Sequence, residues 1–185
     1  MTFNVLIATI GRPTLQRMLN SLSPQLQEDD CLTIVFDGRS YIPNFDVSAF
    51  KCKVVQYFEP VALGSWGHAI RNKYASLLEH RDFIMHADDD DIYLPNVFSE
   101  LHKECLDRET LYIAKMRCQD RVVIPQGNFI RINHIGTPNG IIPYSLNTKG
   151  QWKYQYGGDG LFYEGLSKLA KNISFLDTII YSVRP

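Results

Sequence analysis

Three short apolar runs, each leading into a polar or acidic segment, constrain the fold of this chain more than any other feature. Phe3-Asn4-Val5-Leu6-Ile7-Ala8 runs into Thr9-Ile10-Gly11-Arg12, Cys31 to Phe36 into Asp37-Gly38, and Asp82 to His86 towards Asp88-Asp89-Asp90-Asp91. Runs of this length and composition read as buried strands. Helical patterns lie between them. Pro13-Thr14 supply a first-turn proline and a polar start ahead of Leu15, Met18, Leu19 and Leu22. A second helix is expected from about Ser65 to Leu78, where Trp66, Ile70, Tyr74, Leu77 and Leu78 fit a 3.6-residue period. Lys53 to Tyr57 makes a further strand, and Pro95 opens a helix through Val97, Leu101 and Cys105.

Strands alternating with helices over this stretch specify an α/β fold with a mostly parallel sheet and crossover helices. Such sheets bind ligands beyond the carboxyl ends of their strands, so the polar segments are expected to share one pocket. Past Thr110 the texture changes. Short β-like pieces at Leu111 to Met116, Arg121 to Ile124 and Asn128 to Ile132 point to a smaller mixed or antiparallel half. Gly157-Gly158-Asp159 then introduces a helix through Leu161, Phe162, Leu166, Leu169 and Ala170, and a last strand follows around Ile179 to Val183.

A chain of 185 residues with 45% hydrophobic content suffices for one sizeable core, so a single domain over 1–185 is expected. The formal charge of -1 and the lack of Lys/Arg blocks argue against nucleic acid as a partner. Cys31, Cys52, Cys105 and Cys118 are scattered without metal-ligand spacing and read as reduced, packed thiols. The apolar start is too short for a transmembrane segment and Arg12-Pro13 closes it without a signal-peptide cleavage pattern, which makes a cytoplasmic location the default expectation.

Four adjacent carboxylates repel one another and are costly unless something positive neutralises them, and a divalent metal carrying a diphosphate suits that need. The competing reading is a solvated loop that caps the Pro95 helix. A calcium loop of the EF-hand kind is disfavoured, because Ile92 occupies a ligand position and no glycine follows at the sharp turn.

The order of these motifs resembles that of nucleotide-sugar glycosyltransferases of the GT-A fold, family 2 in particular. Ala8-Thr9-Ile10-Gly11-Arg12 with Leu15, Leu19 and Leu22 is similar to that family's first strand, loop and helix. Gly64 with Ala69-Ile70-Arg71-Asn72 resembles its Gly...Ala-Arg-Asn segment. The run from Asp88 to Pro95 resembles its Asp-x-Asp-Asp motif, and Gly158-Asp159 stands where the family has an acidic dipeptide opening a late helix. The resemblance covers roughly Phe3 to Leu169 and implies a GT-A-like nucleotide-donor half over about 1–95 joined to an acceptor half over about 96–185. It implies a metal-dependent, inverting transferase of the hexosyltransferase type. The donor would be a nucleotide-sugar, UDP most of all, and the acceptor a glycan or other hydroxyl.

Carried onto this sequence, Asp159 is the expected base and Asp90 the ligand of Mn²⁺ or Mg²⁺. Thr9, Arg12, Asp37, Gly64, Arg71, Asp88 and Asp89 are the expected donor contacts, with Asp91, His134 and Trp152 as further acceptor- or metal-side candidates. Two positions depart from the pattern: Phe36 replaces the first Asp of an Asp-Asp-Gly-Ser turn, and Gly158 replaces a Glu. Plain structural readings compete throughout. Asp159 could be an N-cap, Arg71 a solvated helix residue, His134 a structural histidine, and Trp152, Tyr154 and Tyr156 a half-buried strand, the last two favoured by pattern. Two other functions are weighed. A sugar nucleotidyltransferase should carry a longer glycine-rich phosphate loop, and a non-catalytic nucleotide- or carbohydrate-binding module would keep the fold with an incomplete site.

Overall fold

The computed structural model describes residues 1–38 and 45–185. Strand β1 (Phe3–Thr9) lies between β2 (Cys31–Asp37) and β4 (Phe83–Asp88), and β3 (Lys53–Glu59) adds to the far side of β2, all four parallel. Successive side chains alternate between the two faces of the sheet. Val5, Ile7, Leu32 and Ile34 therefore pack with Leu15, Met18, Leu19 and Leu22 of α1 (Leu15–Leu22). Leu6, Val35 and Ile84 meet Ile70 and Tyr74 of α2 (His68–Tyr74) on the other face. Burial on both faces is why these strands read as near-continuous apolar runs. The buried polar exceptions satisfy each other, Thr33 Oγ1 donating to Asn4 Oδ1 at 3.0 Å and Asn4 Nδ2 to the Glu79 carbonyl at 2.9 Å.

The sheet then continues with mixed polarity. β8 (Gly140–Pro143) runs antiparallel to both β4 and β6 (Thr110–Arg117), and β9 (Asn172–Ser182) runs parallel to β6. β5 (Ile92–Tyr93) closes the far edge against β9, and β7 (Val123–Ile124) pairs with β6. Helix α3 (Val97–Glu104) follows Pro95 as expected, and α4 (Tyr144–Asn147) is a single turn. The longest helix, α5 (Gly158–Leu169), sets Phe162, Tyr163 and Leu166 on Leu111, Ile113, Ile142 and Trp152.

Four expectations are corrected. The helix from 65 to 78 is a 3₁₀ turn, Ser65–Gly67, followed by the shorter α2, with Ser65, Trp66 and Gly67 all at positive φ. Trp66 is consequently 70% exposed, and Leu77, beyond the helix end, is 52% exposed. Asn128 to Ile132 forms no strand and leaves Phe129 and Ile132 exposed, and the unexpected Gly140–Pro143 is the strand that joins β6 to β4. Trp152, Tyr154 and Tyr156 form no strand either, Trp152 being buried and the two tyrosines exposed. The last strand begins at Asn172, its polar start concealed by residues that face water. The four cysteines are unpaired, and among the described residues no helix is long and apolar enough to cross a membrane.

His86, at the buried centre of β4, bonds Asn147 Oδ1 through Nε2 at 2.9 Å, and Trp152 and Phe162 pack against its ring edge to face. Burial first, and the charge of Arg71 second, push its pKa down from 6.5 to about 3. Above 6.5 both folded and unfolded chains hold the imidazole neutral; below it only the unfolded chain takes the proton. Folding stability from this group is thus lost as pH falls from 6.5 towards about 3, at up to about 1.4 kcal/mol per pH unit. Denaturation of wild type and His86→Gln across pH 4–7 should show that extra acid sensitivity in the wild type alone. Parallel pH dependences would reject it.

Candidate active site

The carboxyl ends of β1, β2 and β4 meet the start of α5 around a cleft of about 530 Å³. Thr9, Arg12, Asp37 and Gly64 line one part of it, and Asp88, Asp89, Asp90 and Asp159 another. Eight residues named from the sequence are thus gathered in one place, while Arg71, Asp91, His134 and Trp152 lie outside its lining.

Asp89 joins the first and fourth strands. It is buried, receives the Thr9 hydroxyl on one oxygen, and takes Arg12 Nη1 on the other at 2.7 Å. Burial pushes its carboxyl up, and these two partners oppose the shift. Thr9 Oγ1 also receives the Gly11 amide at 2.8 Å, which fixes the turn after β1. Asp37 performs a similar service between β2 and the segment after β3, accepting the Leu63 amide at 2.6 Å and the Gly64 amide at 2.8 Å. Phe36, one residue earlier, points to the opposite face and stacks on Phe58 with ring centroids 5.0 Å apart.

Arg71 is neither solvated nor a cleft residue. Its side chain is 0% exposed and forks beneath the acidic run: Nη2 donates to Asp88 Oδ1 at 2.6 Å and to the Ala87 carbonyl at 3.2 Å, and Nη1 to the Trp66 carbonyl at 3.0 Å. The guanidinium lies 5.1 Å from the centre of the Trp152 ring. Trp152 therefore supports the site from below rather than facing it. The neighbouring Asn72 bonds the Trp152 backbone twice, Nδ2 to its carbonyl at 2.9 Å and Oδ1 from its amide at 2.8 Å. The Ala-Arg-Asn segment thus aims one aspartate and anchors the loop that leads to another.

The acidic run does not cap the following helix, whose N-cap is Asn96 without a side-chain bond. Asp90 Oδ2 instead faces Arg184 Nε at 3.1 Å and Arg12 Nη1 at 3.7 Å. Asp91 turns inward and accepts the Arg184 amide at 2.9 Å, and burial, aided by the charges of Asp88 and Asp90, pushes its carboxyl up to about 7.

Asp159 sits in the first turn of α5, whose N-cap is Gly157, so it caps nothing. Its carboxylate, 29% exposed, receives Thr137 Oγ1 at 3.4 Å on Oδ2 and stands 3.9 Å from His68 Nε2 on Oδ1. His134 packs on Phe129 at 5.3 Å, while its neighbours Asn133 and Ile135 line the cleft.

Sequence reasoning missed His68, Thr137, Arg184 and the exposed Trp66, all of which line the cleft; Tyr156, read from its alternation as part of a strand, lines it as well. A pair of glycines, Gly64 and Gly67, both at positive φ, flanks Trp66 and is the one local signal that the segment turns left-handed instead of extending the helix. Contacts such as His68 with Asp159 join distant parts of the chain and leave no local pattern.

No protein-family model matches this chain, and no curated protein matches it in sequence. Solved structures do. The crystal structure of S. aureus TarS 1-349 in complex with UDP-GlcNAc matches 99% of this chain and 58% of its own, at TM-score 0.74 and 20% identity. Another TarS 1-349 structure matches at TM-score 0.72 and 20% identity over 99% of this chain and 60% of that one. HddC from Yersinia pseudotuberculosis matches at TM-score 0.54 and 15% identity, over 97% and 91% of the two chains. This chain therefore has the GT-A-like fold of nucleotide-sugar glycosyltransferases that its motif order resembles. It spans about three fifths of the TarS 1-349 chains.

Proposed function

We propose that this chain is the catalytic domain of a metal-dependent, inverting glycosyltransferase that moves a sugar from a nucleoside-diphosphate donor to a hydroxyl acceptor. The observation that carries the reading is the meeting of Asp37, Asp88 to Asp90 and Asp159 in a single cleft beyond the ends of parallel strands. The TarS structures with UDP-GlcNAc and UDP share this fold and favour UDP as the nucleotide.

In this reading Asp37, with the Gly64 segment it holds, bounds the nucleoside end. Asp88 and Asp90 offer hard oxygen donors on one loop, and among the described residues no three His, Cys, Asp or Glu side chains gather to hold a metal alone. That donor set fits Mn²⁺ or Mg²⁺, which uses one or two protein carboxylates and completes its shell with phosphate oxygens and water. When bound, the cation neutralises the departing diphosphate. Asp90 would hold it, with Asp88 fixed beside it by Arg71. Arg12 and Arg184 add fixed positive charge at the same end. Asp159 accepts the acceptor's proton as the hydroxyl oxygen attacks the anomeric carbon opposite the leaving diphosphate, which inverts the centre. Trp66 and Tyr156 supply exposed aromatic surface for a sugar ring at the rim.

Thermal unfolding with UDP, GDP, CDP and dTDP, each with Mn²⁺, Mg²⁺ or EDTA, tests the donor site. UDP with metal, at about a hundredfold over its Kd, should raise the Tm by about 5–10 °C. EDTA or Asp90→Ala should abolish the shift. Absence of a shift with every nucleotide would remove the reading.

A further inference from the structure

We infer that His68 and Asp159 form a proton-sharing dyad, in which the imidazole stands behind the carboxylate and receives the proton that Asp159 takes from the acceptor hydroxyl. The inference rests on the glycosyl-transfer reading of the same cleft. His68 Nδ1 lies 2.8 Å from the Lys153 carbonyl, which can only accept, so Nδ1 carries the hydrogen and the neutral ring presents a bare lone pair at Nε2. That lone pair is 3.9 Å from Asp159 Oδ1. The side chain is 5% exposed yet lines the cleft. A lone pair and a carboxylate held this close repel, and one proton between them turns the repulsion into attraction.

Gly158 gives an independent reason to treat the pair as a built unit. A Cβ there would stand 2.6 Å from His68 Cε1, 2.8 Å from Nδ1 and 2.3 Å from the Lys153 carbonyl oxygen. The position that carries Glu in the resembling family thus has no room for a side chain here, because the Lys153 carbonyl and the imidazole bonded to it occupy the space together. The ring is seated against the very turn that bears Asp159, with Trp152 at 5.2 Å and Trp66 at 6.3 Å between centroids as its walls.

The charged groups facing His68 are Asp159 from α5, Arg71 from its own helix and Asp88 from the end of β4. Burial is the largest influence and holds the ring below the usual histidine range, against the upward pull of the Lys153 carbonyl and the two aspartates. A ring kept neutral at rest is ready to accept. In the step itself the acceptor oxygen bonds the anomeric carbon as the bond from that carbon to the diphosphate oxygen breaks, and the electron pair leaves with the diphosphate. The hydroxyl proton passes to Asp159 and, as the pair closes from 3.9 Å to hydrogen-bond distance, on to Nε2, which restores the carboxylate, and the imidazolium then returns the proton to solvent. His68 acts through Asp159 and is a positioning residue.

Long-range ¹H–¹⁵N NMR of the histidine rings, compared between wild type and Asp159→Asn, reads the dyad directly, with His68→Asn identifying the signal. The ring should show the Nδ1–H tautomer when neutral, and its pKa should fall in Asp159→Asn, where the carboxylate no longer favours the charged ring. In wild type, the acid limb of UDP release from UDP-GlcNAc should follow His68 and move to lower pH in His68→Asn, where a carboxylate alone accepts the proton. Identical His68 titrations in wild type and Asp159→Asn, or an acid limb unmoved in His68→Asn, would overturn the proposal. Failure of the transfer reading has a different signature, namely no nucleotide-dependent thermal shift alongside an intact NMR coupling.

Discussion

Replacing Arg71 by alanine is expected to lower the unfolding free energy by about 2–5 kcal/mol, the range for truncating a large buried side chain. The guanidinium is fully buried, carries its charge against Asp88, and satisfies two backbone carbonyls, those of Trp66 and Ala87. Alanine leaves those carbonyls without their donor and opens a void beside the Trp152 ring. Asp88→Asn should cost less, because the Asp88 side chain is 36% exposed and an amide oxygen can still accept from Nη2. Urea denaturation of both variants gives the comparison. An Arg71→Ala loss under about 1 kcal/mol would show that the fork is not a structural support. Donor binding is expected to weaken in the same variant, since Asp88 and the left-handed turn at Trp66 lose their common anchor. The prediction thus links stability and site through one side chain.

How Arg71 works also shows where sequence reading succeeds and stops. The parallel strands were legible because burial on both faces forces long apolar runs, and β1, β2 and β4 are buried along nearly their whole length. Their polar ends had to fall on one edge, so Thr9, Asp37 and Asp88 to Asp90 could be placed together before any contact was seen. Helical periodicity gives the face on which Arg71 lies but carries no term for its long-range partner, and a buried arginine looks the same in sequence as a solvated one. β8 escaped because Gly140–Pro143 is short and ends in proline, and the first half of β9, ahead of the expected strand from Ile179, because Asn172, Ser174 and Asp177 mask a strand whose outer side meets water. The two departures from the family pattern have different outcomes. Phe36 belongs to the aromatic core beneath the sheet end and leaves Asp37 alone at the cleft, whereas Gly158 makes room for an imidazole that local pattern could not assign.

Asp159→Asn is expected to reduce kcat for glycosyl transfer by about 10²–10⁴-fold, the usual contribution of a general base. Asparagine matches the shape of aspartate and can still accept from Thr137, so α5 and the cleft wall should keep their geometry. What it cannot do is take a proton from the acceptor. The nucleotide-dependent thermal shift should therefore survive in Asp159→Asn and vanish in Asp90→Ala, which separates the two aspartates by function although both line one cleft. Steady-state UDP release from a UDP-sugar, with the thermal shift measured on the same preparations, makes the distinction. A KM for donor that rises as kcat stays constant would recast Asp159 as a binding group, because uniform binding lowers KM without touching the chemical step. A rate within about threefold of wild type would do more. It would remove the only carboxylate that sits at the first turn of α5 across the cleft from the acidic run, and with it the base-catalysed inversion.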